Sequence, residues 1–177
     1  MIKKILIVLG VLIAGFLVLA AMQPDTYTVT RTATVAAPPE QVFGLVNDFH
    51  QWEKWSPWGK IDPNMKTIYE GAAAGSGAIY KWAGNSDVGE GQMTILESQP
   101  NDRVKINLEF LKPFESKAIT EFTFKPEGAG TAVEWKMAGD NNMMGKVFSL
   151  AMGGMDKMIG PDFEKGLGQM KAAAEGH

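Results

Sequence analysis

His50 and His177 are the two histidines of this chain, and it has no cysteine. Acid–base work at a carbonyl needs a group that titrates near neutrality, oriented by a second polar group. His177 is the last residue, at an end that frays. His50 follows Asp48-Phe49 in a helix-ending segment, where a surface or capping role is the plain reading. Tyr80, Asp87 and Glu53 are chemically able to supply an acid, yet each reads as a rim or turn residue. A transition-metal site needs ligands at short fixed spacing, and two distant histidines without cysteine do not supply one. The loop Gly84–Gly91 contains three glycines but lacks the lysine of a phosphate-binding loop. It reads as a β-turn between strands, with a flexible lip over a cavity mouth as its functional alternative. No catalytic residue, metal ligand or cofactor site is assigned.

Apolar recognition has more to work with. Trp52, Trp55 and Trp58 stand three apart, so one helical turn would put them on one side. They either plug the end of a sheet as core or cap a ligand cavity, or sit at a membrane interface. Met152, Met155, Met158 and Met170 recur on a C-terminal helix. Unbranched methionine adapts to ligands of varied shape but also fills gaps in a plain core. Phe110, Phe122, Phe124 and Trp135 on facing strands, with Tyr80, would complete an apolar wall. Such a pocket carries few polar anchors.

The elements that must position these residues follow from periodicity. Thr26–Ala36 alternates Tyr27, Val29, Ala33 and Val35 with Thr28, Thr30, Thr32 and Thr34, the pattern of a strand. Pro38-Pro39-Glu40 stops it and opens a helix whose stripe is Val42, Phe43, Leu45, Val46 and Phe49. From Lys66 to Met137 the signals are strand and turn, about six consecutive strands, and consecutive short-linked strands make an antiparallel sheet. Val104, Ile106, Leu108 and Phe110 give the clearest period of two. Apolar residues then recur every three to four positions, which predicts one long amphipathic helix from Met143 to Ala174. Gly160-Pro161 predicts a kink or break within it, and Gly166 and Gly168 weaken its last turns. One apolar sheet face and one apolar helix face are economically buried by curving the sheet around the helix, an α+β domain.

Residues 5–22 form an uncharged run of 18 behind Lys3 and Lys4. As a helix it reaches ~27 Å, close to a bilayer core of about 30 Å. The lysines stay on the cytoplasmic side, so the rest of the chain points out of the cytoplasm. A cleaved signal peptide is the rival reading, although its apolar region is usually only ~7–15 residues. About 155 residues remain, enough for one domain with its own core. Without Lys3 and Lys4 the 17 basic residues become 15 against 20 acidic, near −5. A domain so charged, with no basic stretch, is a poor nucleic-acid binder.

Several local sequences carry a resemblance: Ala37-Pro38-Pro39-Glu40-Gln41-Val42-Phe43, Asp48-Phe49 with Trp52, Trp55-Ser56-Pro57-Trp58, the Gly84–Gly91 loop, and Gly130-Thr131-Ala132-Val133-Glu134-Trp135. With the element order, they resemble the START/birch-pollen-allergen superfamily, called SRPBCC or helix-grip, and its bacterial polyketide cyclase/dehydrase-related branch. The resemblance spans about residues 27–174. It implies seven antiparallel strands gripping the C-terminal helix around an elongated cavity for hydrophobic ligands. The expected organisation is an anchor and linker over 1–23 and a helix-grip domain over 24–177. The expected role is a membrane-tethered binder of a lipid or other apolar small molecule, held between sheet and helix. The domain would face the periplasm or other extracytoplasmic side. An enzyme acting on a polyketide-like substrate and a ligand-free interaction module are the alternatives.

Overall fold

Alternating β-branched and polar residues make ribbons with one apolar face, and seven such ribbons form the sheet. The computed structural model describes residues 1–176. Strands β1 (Thr26–Val35), β2 (Lys66–Gly71), β3 (Ala78–Ala83), β4 (Glu90–Gln99), β5 (Arg103–Lys112), β6 (Ser116–Glu127) and β7 (Gly130–Asp140) pair antiparallel in the order β1-β7-β6-β5-β4-β3-β2. Helix α1 spans Ile2–Ala21, α2 Pro39–Asn47, α3 Met143–Met152 and α4 Met155–Glu175. The fold is the expected α+β helix-grip arrangement, with α4 packed along β1 and a short helix and turn after the first strand.

Register fixes which side chains face inward. Val29 lies opposite Met137, Trp135 opposite Phe122, Phe122 opposite Val104, and Ile106 opposite Ile95. All of these are buried, so one continuous apolar face carries the core.

Helix α2 starts as its sequence dictates: Pro38 is the extended cap, Pro39 opens the helix and Glu40 lies in its first turn. Its other end shows what two of the tryptophans do. The last carbonyls of a helix have no partner within it. Trp55 Nε1 donates to the Leu45 carbonyl (2.8 Å), Trp52 Nε1 to Val46 (3.0 Å), and the Gly75 amide to Asn47 (2.9 Å). A 3-10 turn over Phe49–Lys54 follows, started by the Asp48 carboxylate accepting from the His50 amide.

The long C-terminal helix is corrected by the structure. The break falls at Gly153-Gly154, and Pro161 lies inside an unbroken α4. Gly153 (φ 83°) and Gly154 (φ 112°) adopt backbone that side-chain-bearing residues avoid, so two glycines in succession redirect the chain. Pro161 deprives the Lys157 carbonyl of its donor, and Lys157 is exposed, so water can replace it. Gly160 beside it is explained by a close approach. Arg31 reaches from β1 under α4, donating to Asp156 (2.7 and 3.0 Å) and Glu164 (2.7 Å). A Cβ at Gly160 would collide with the Arg31 guanidinium.

Helix α1 is exposed apart from Ala20. It is long and apolar enough to cross a membrane, and a signal sequence near an N-terminus meets the same description.

Candidate ligand-binding site

The inner face of the sheet changes character along its length. At mid-strand, Trp135 lies flat on Phe163 of α4, with centroids 4.0 Å apart and planes 7° from parallel. Phe122 stacks on Trp135 at 4.8 Å, and Trp55 and Trp58 meet it edge-on at 5.6 and 5.8 Å. The Trp135 indole N–H donates to Thr120 Oγ1 (2.9 Å), so its one polar atom is satisfied. Gly166 of α4 is the residue that lets this ring in: a Cβ there would stand 2.8 Å from Trp135 Cζ3. Trp52, Trp55, Phe122, Phe124 and Trp135 are thus buried against one another. At this level the space between sheet and helix is filled.

Towards the other end the inward side chains shrink. On β6 the sequence of inward residues is Phe124, Phe122, Thr120, Ala118, and on β7 it is Val133, Trp135, Met137, Gly139. Half-buried apolar groups pack against the core from several elements, Trp58, Trp82, Leu108, Met155 and Ile159 among them, and Phe110 on β5 is half-buried too. Trp82 meets Phe110 edge-on at 5.7 Å and lies so close over Gly91 that a Cβ would fall 2.5 Å from its ring. Met155 and Ile159 continue the α4 stripe that holds Phe163, spaced four apart.

The remaining sequence candidates fall in different places. Tyr80 faces inward between Phe49, Tyr69 and Trp82. Burial first, then the neighbouring Tyr69 and Glu53, push its hydroxyl up to about 12, so it stays protonated at neutral pH. Met152 lies on the exposed side of α3, and Met158 is partly exposed on α4. His50 is half-exposed, stacks on Tyr69 (4.1 Å) and its ring bonds Asp48 Oδ1 (2.8 Å), while the capping residue here is Asp48. His177 lies outside the described residues. The Gly84–Gly91 loop is the expected turn, with the Gly84 amide donating to Gly89 and the Gly89 amide to Asn85. No cluster of three metal-ligating side chains occurs among the described residues.

Sequence reasoning missed the Arg31 clamp, the Trp52 and Trp55 caps, and Phe163 as partner of Trp135. A concavity of about 480 Å³ opens at the small-residue end of β6 and β7, beside β1, bordered by Tyr27, Thr28, Ala118, Ile119, Ala138 and Gly139, with Lys117 and Asp140 among its polar neighbours.

A curved seven-stranded sheet closed on a C-terminal helix, with an apolar inner face, defines the helix-grip class. Residues 26–175 match the model of the family described as polyketide cyclase / dehydrase and lipid transport, and the chain belongs to it. Membership associates the chain with hydrophobic ligands. No curated protein matches the chain. Among solved structures it is similar to protein CV1439 from Chromobacterium violaceum, at 19% identity and a TM-score of 0.60, over 86% of this chain and 99% of that one. A protein from Rhizobium leguminosarum gives 14% identity and 0.63, over 86% and 97%. DynU16, from the dynemicin biosynthetic locus, gives 16% and 0.55, over 86% of this chain and 48% of its own. At these identities the likeness concerns the fold.

Proposed function

We propose that this protein is a membrane-tethered binder of a hydrophobic small molecule or lipid. Residues 1–23 serve as anchor and linker, and residues 24–177 form the binding domain on the extracytoplasmic side of the cytoplasmic membrane. The ligand enters the grip beyond Trp135, where the inward residues of β6 and β7 shrink to Ala118 and Gly139 and the Tyr27 ring of β1 lies over Gly139. The observation that carries this reading is the drop in side-chain size along β6 and β7, from Phe122 and Trp135 to Ala118 and Gly139. Each ligand methylene buried there contributes about 0.8 kcal/mol. Family membership supports the apolar chemistry, and the exposed apolar length of α1 supports the tether.

Native mass spectrometry of the full chain released from nanodiscs tests it. An apolar adduct of discrete mass is expected on the natural sequence and absent from Ala118→Trp, which fills the same space. A natural protein that releases no adduct, with a thermal midpoint unmoved by added fatty acid or apolar polyketide-like compounds, overturns the reading.

A further inference from the structure

Helix α3 is built inside out. In a helix packed on a globular domain, the apolar side faces the core and the polar side faces water. In α3 the buried residues are Lys146 and Ser149. Met144, Phe148 and Met152, spaced four apart on one face, are 48, 45 and 60% exposed, and Met143 is 52% exposed. Lys146 is the one charged residue of the helix, and it is turned inward, its Nζ 2.6 Å from Asp25. Phe114 at the β5–β6 turn adds to the same face, its ring 6.1 Å from that of Phe148. Water is a poor solvent for such a face, and the described residues do not cover it.

The position of α3 says what does. It packs beside α1, and its start is tied to the residues that follow α1. Asn141 Nδ2 donates to the Pro24 carbonyl (3.1 Å), the Asn141 amide to the Asp25 carbonyl (2.7 Å), and Lys146 pairs with the Asp25 carboxylate. The apolar face of α3 therefore lies at the level where α1 leaves its apolar surroundings. We infer that α3 is an interfacial helix: Met144, Phe148, Met152 and Phe114 dip into the same bilayer that holds α1. The inference rests on the proposed tether and adds a second, peripheral contact that sets how the domain lies on the lipid. A ten-residue helix lying flat covers about 15 Å of surface, its apolar side about 5–10 Å deep. With the one charged residue of α3, Lys146, turned away from this face, the contact is driven by apolar burial. It should hold on zwitterionic lipid and be insensitive to salt.

The absence of native cysteine allows a direct test. Full-length single-cysteine variants Leu12→Cys, Met144→Cys, Phe148→Cys and Lys125→Cys are nitroxide-labelled in phosphatidylcholine vesicles. Their accessibility to oxygen and to a water-soluble nickel complex is then compared. Labels at 144 and 148 should favour oxygen several-fold over the label at 125, which reports the exposed far end of β6. Nickel access at 144 and 148, with 12 still oxygen-favoured, overturns the interfacial helix and leaves the tether standing. Shielding of 144 and 148 from both reagents means that protein covers the face, and also overturns it. Nickel access at position 12 removes the tether and this inference with it.

Discussion

The packed middle of the grip and helix α3 solve opposite problems with similar residues. Around Trp135, large aromatic rings stack, cap α2 and are fully buried. Around α3, methionines and phenylalanines of comparable apolarity are turned outward while a lysine is turned in. Composition alone does not distinguish the two. What separates them is the pair Gly153-Gly154, which ends one helix and starts the next in a new direction. Residues before that joint pack beside α1, and residues after it pack along β1 of the sheet.

That contrast can be broken most sharply at Trp135. Trp135→Ala removes the stacks with Phe163 and Phe122 and leaves a cavity that a rigid aromatic core cannot close. We expect a loss of ~3–5 kcal/mol in urea unfolding, against less than about 0.5 kcal/mol for Met152→Ala on the exposed face. A small loss at Trp135 would mean that the packed middle is softer than its geometry implies.

Glycine substitutions in α4 should differ in sign. Gly166→Ala drives a methyl group into the Trp135 ring and should destabilise by about 1–3 kcal/mol. A methyl group at Gly168 would meet nothing within 4 Å, so Gly168→Ala should stabilise by up to about 1 kcal/mol through helix propensity. Thermal melts of the two variants side by side decide this. Trp55→Phe keeps a ring in the core but strips the Leu45 carbonyl of its donor, and should cost about 1–3 kcal/mol.

The smallest effect concerns the clamp. The hydrogen bond from Arg31 holds the Asp156 carboxyl below its ordinary 3.8. A carboxylate with a lowered folded-state pKa adds stability above 3.8, and that stability is lost as the pH falls further. The gap in melting temperature between the natural chain and Asp156→Asn should therefore be present at pH 6 and shrink below pH 3.8. A gap that widens on acidification would contradict the clamp.

Much of the fold was legible because strands and the α2 start depend on local pattern. The alternation of Val104 to Phe110 lies within β5, and Thr26–Ala36 is β1 to within one residue. The helix break was misplaced because Pro161 is a louder local signal than Gly153-Gly154. A lost hydrogen bond at exposed Lys157 is tolerated, whereas two positive φ angles redirect the chain. The inward faces of Trp52 and Trp55 could be guessed from their spacing, but not their bonds to α2, which depend on the turn that brings them back. Arg31 with Asp156 and Glu164 joins residues more than a hundred positions apart, and no periodicity reports such a pair. The outward apolar face of α3 was hidden for a related reason: its period is that of a core helix, and only its attachment to Pro24 and Asp25 reverses which side is covered.

The crowding of indoles around Trp135 has an optical consequence. Trp52 and Trp55 lie 4.6 Å apart and Trp55 and Trp135 5.6 Å, at tilts of 49° and 81°. Chromophores so close and so angled exchange excitation, so the folded protein should show a coupled circular-dichroism band and quenched, blue-shifted emission. Both signals vanish when the rings separate, giving an unlabelled reporter of whether the packed middle of the grip stays closed.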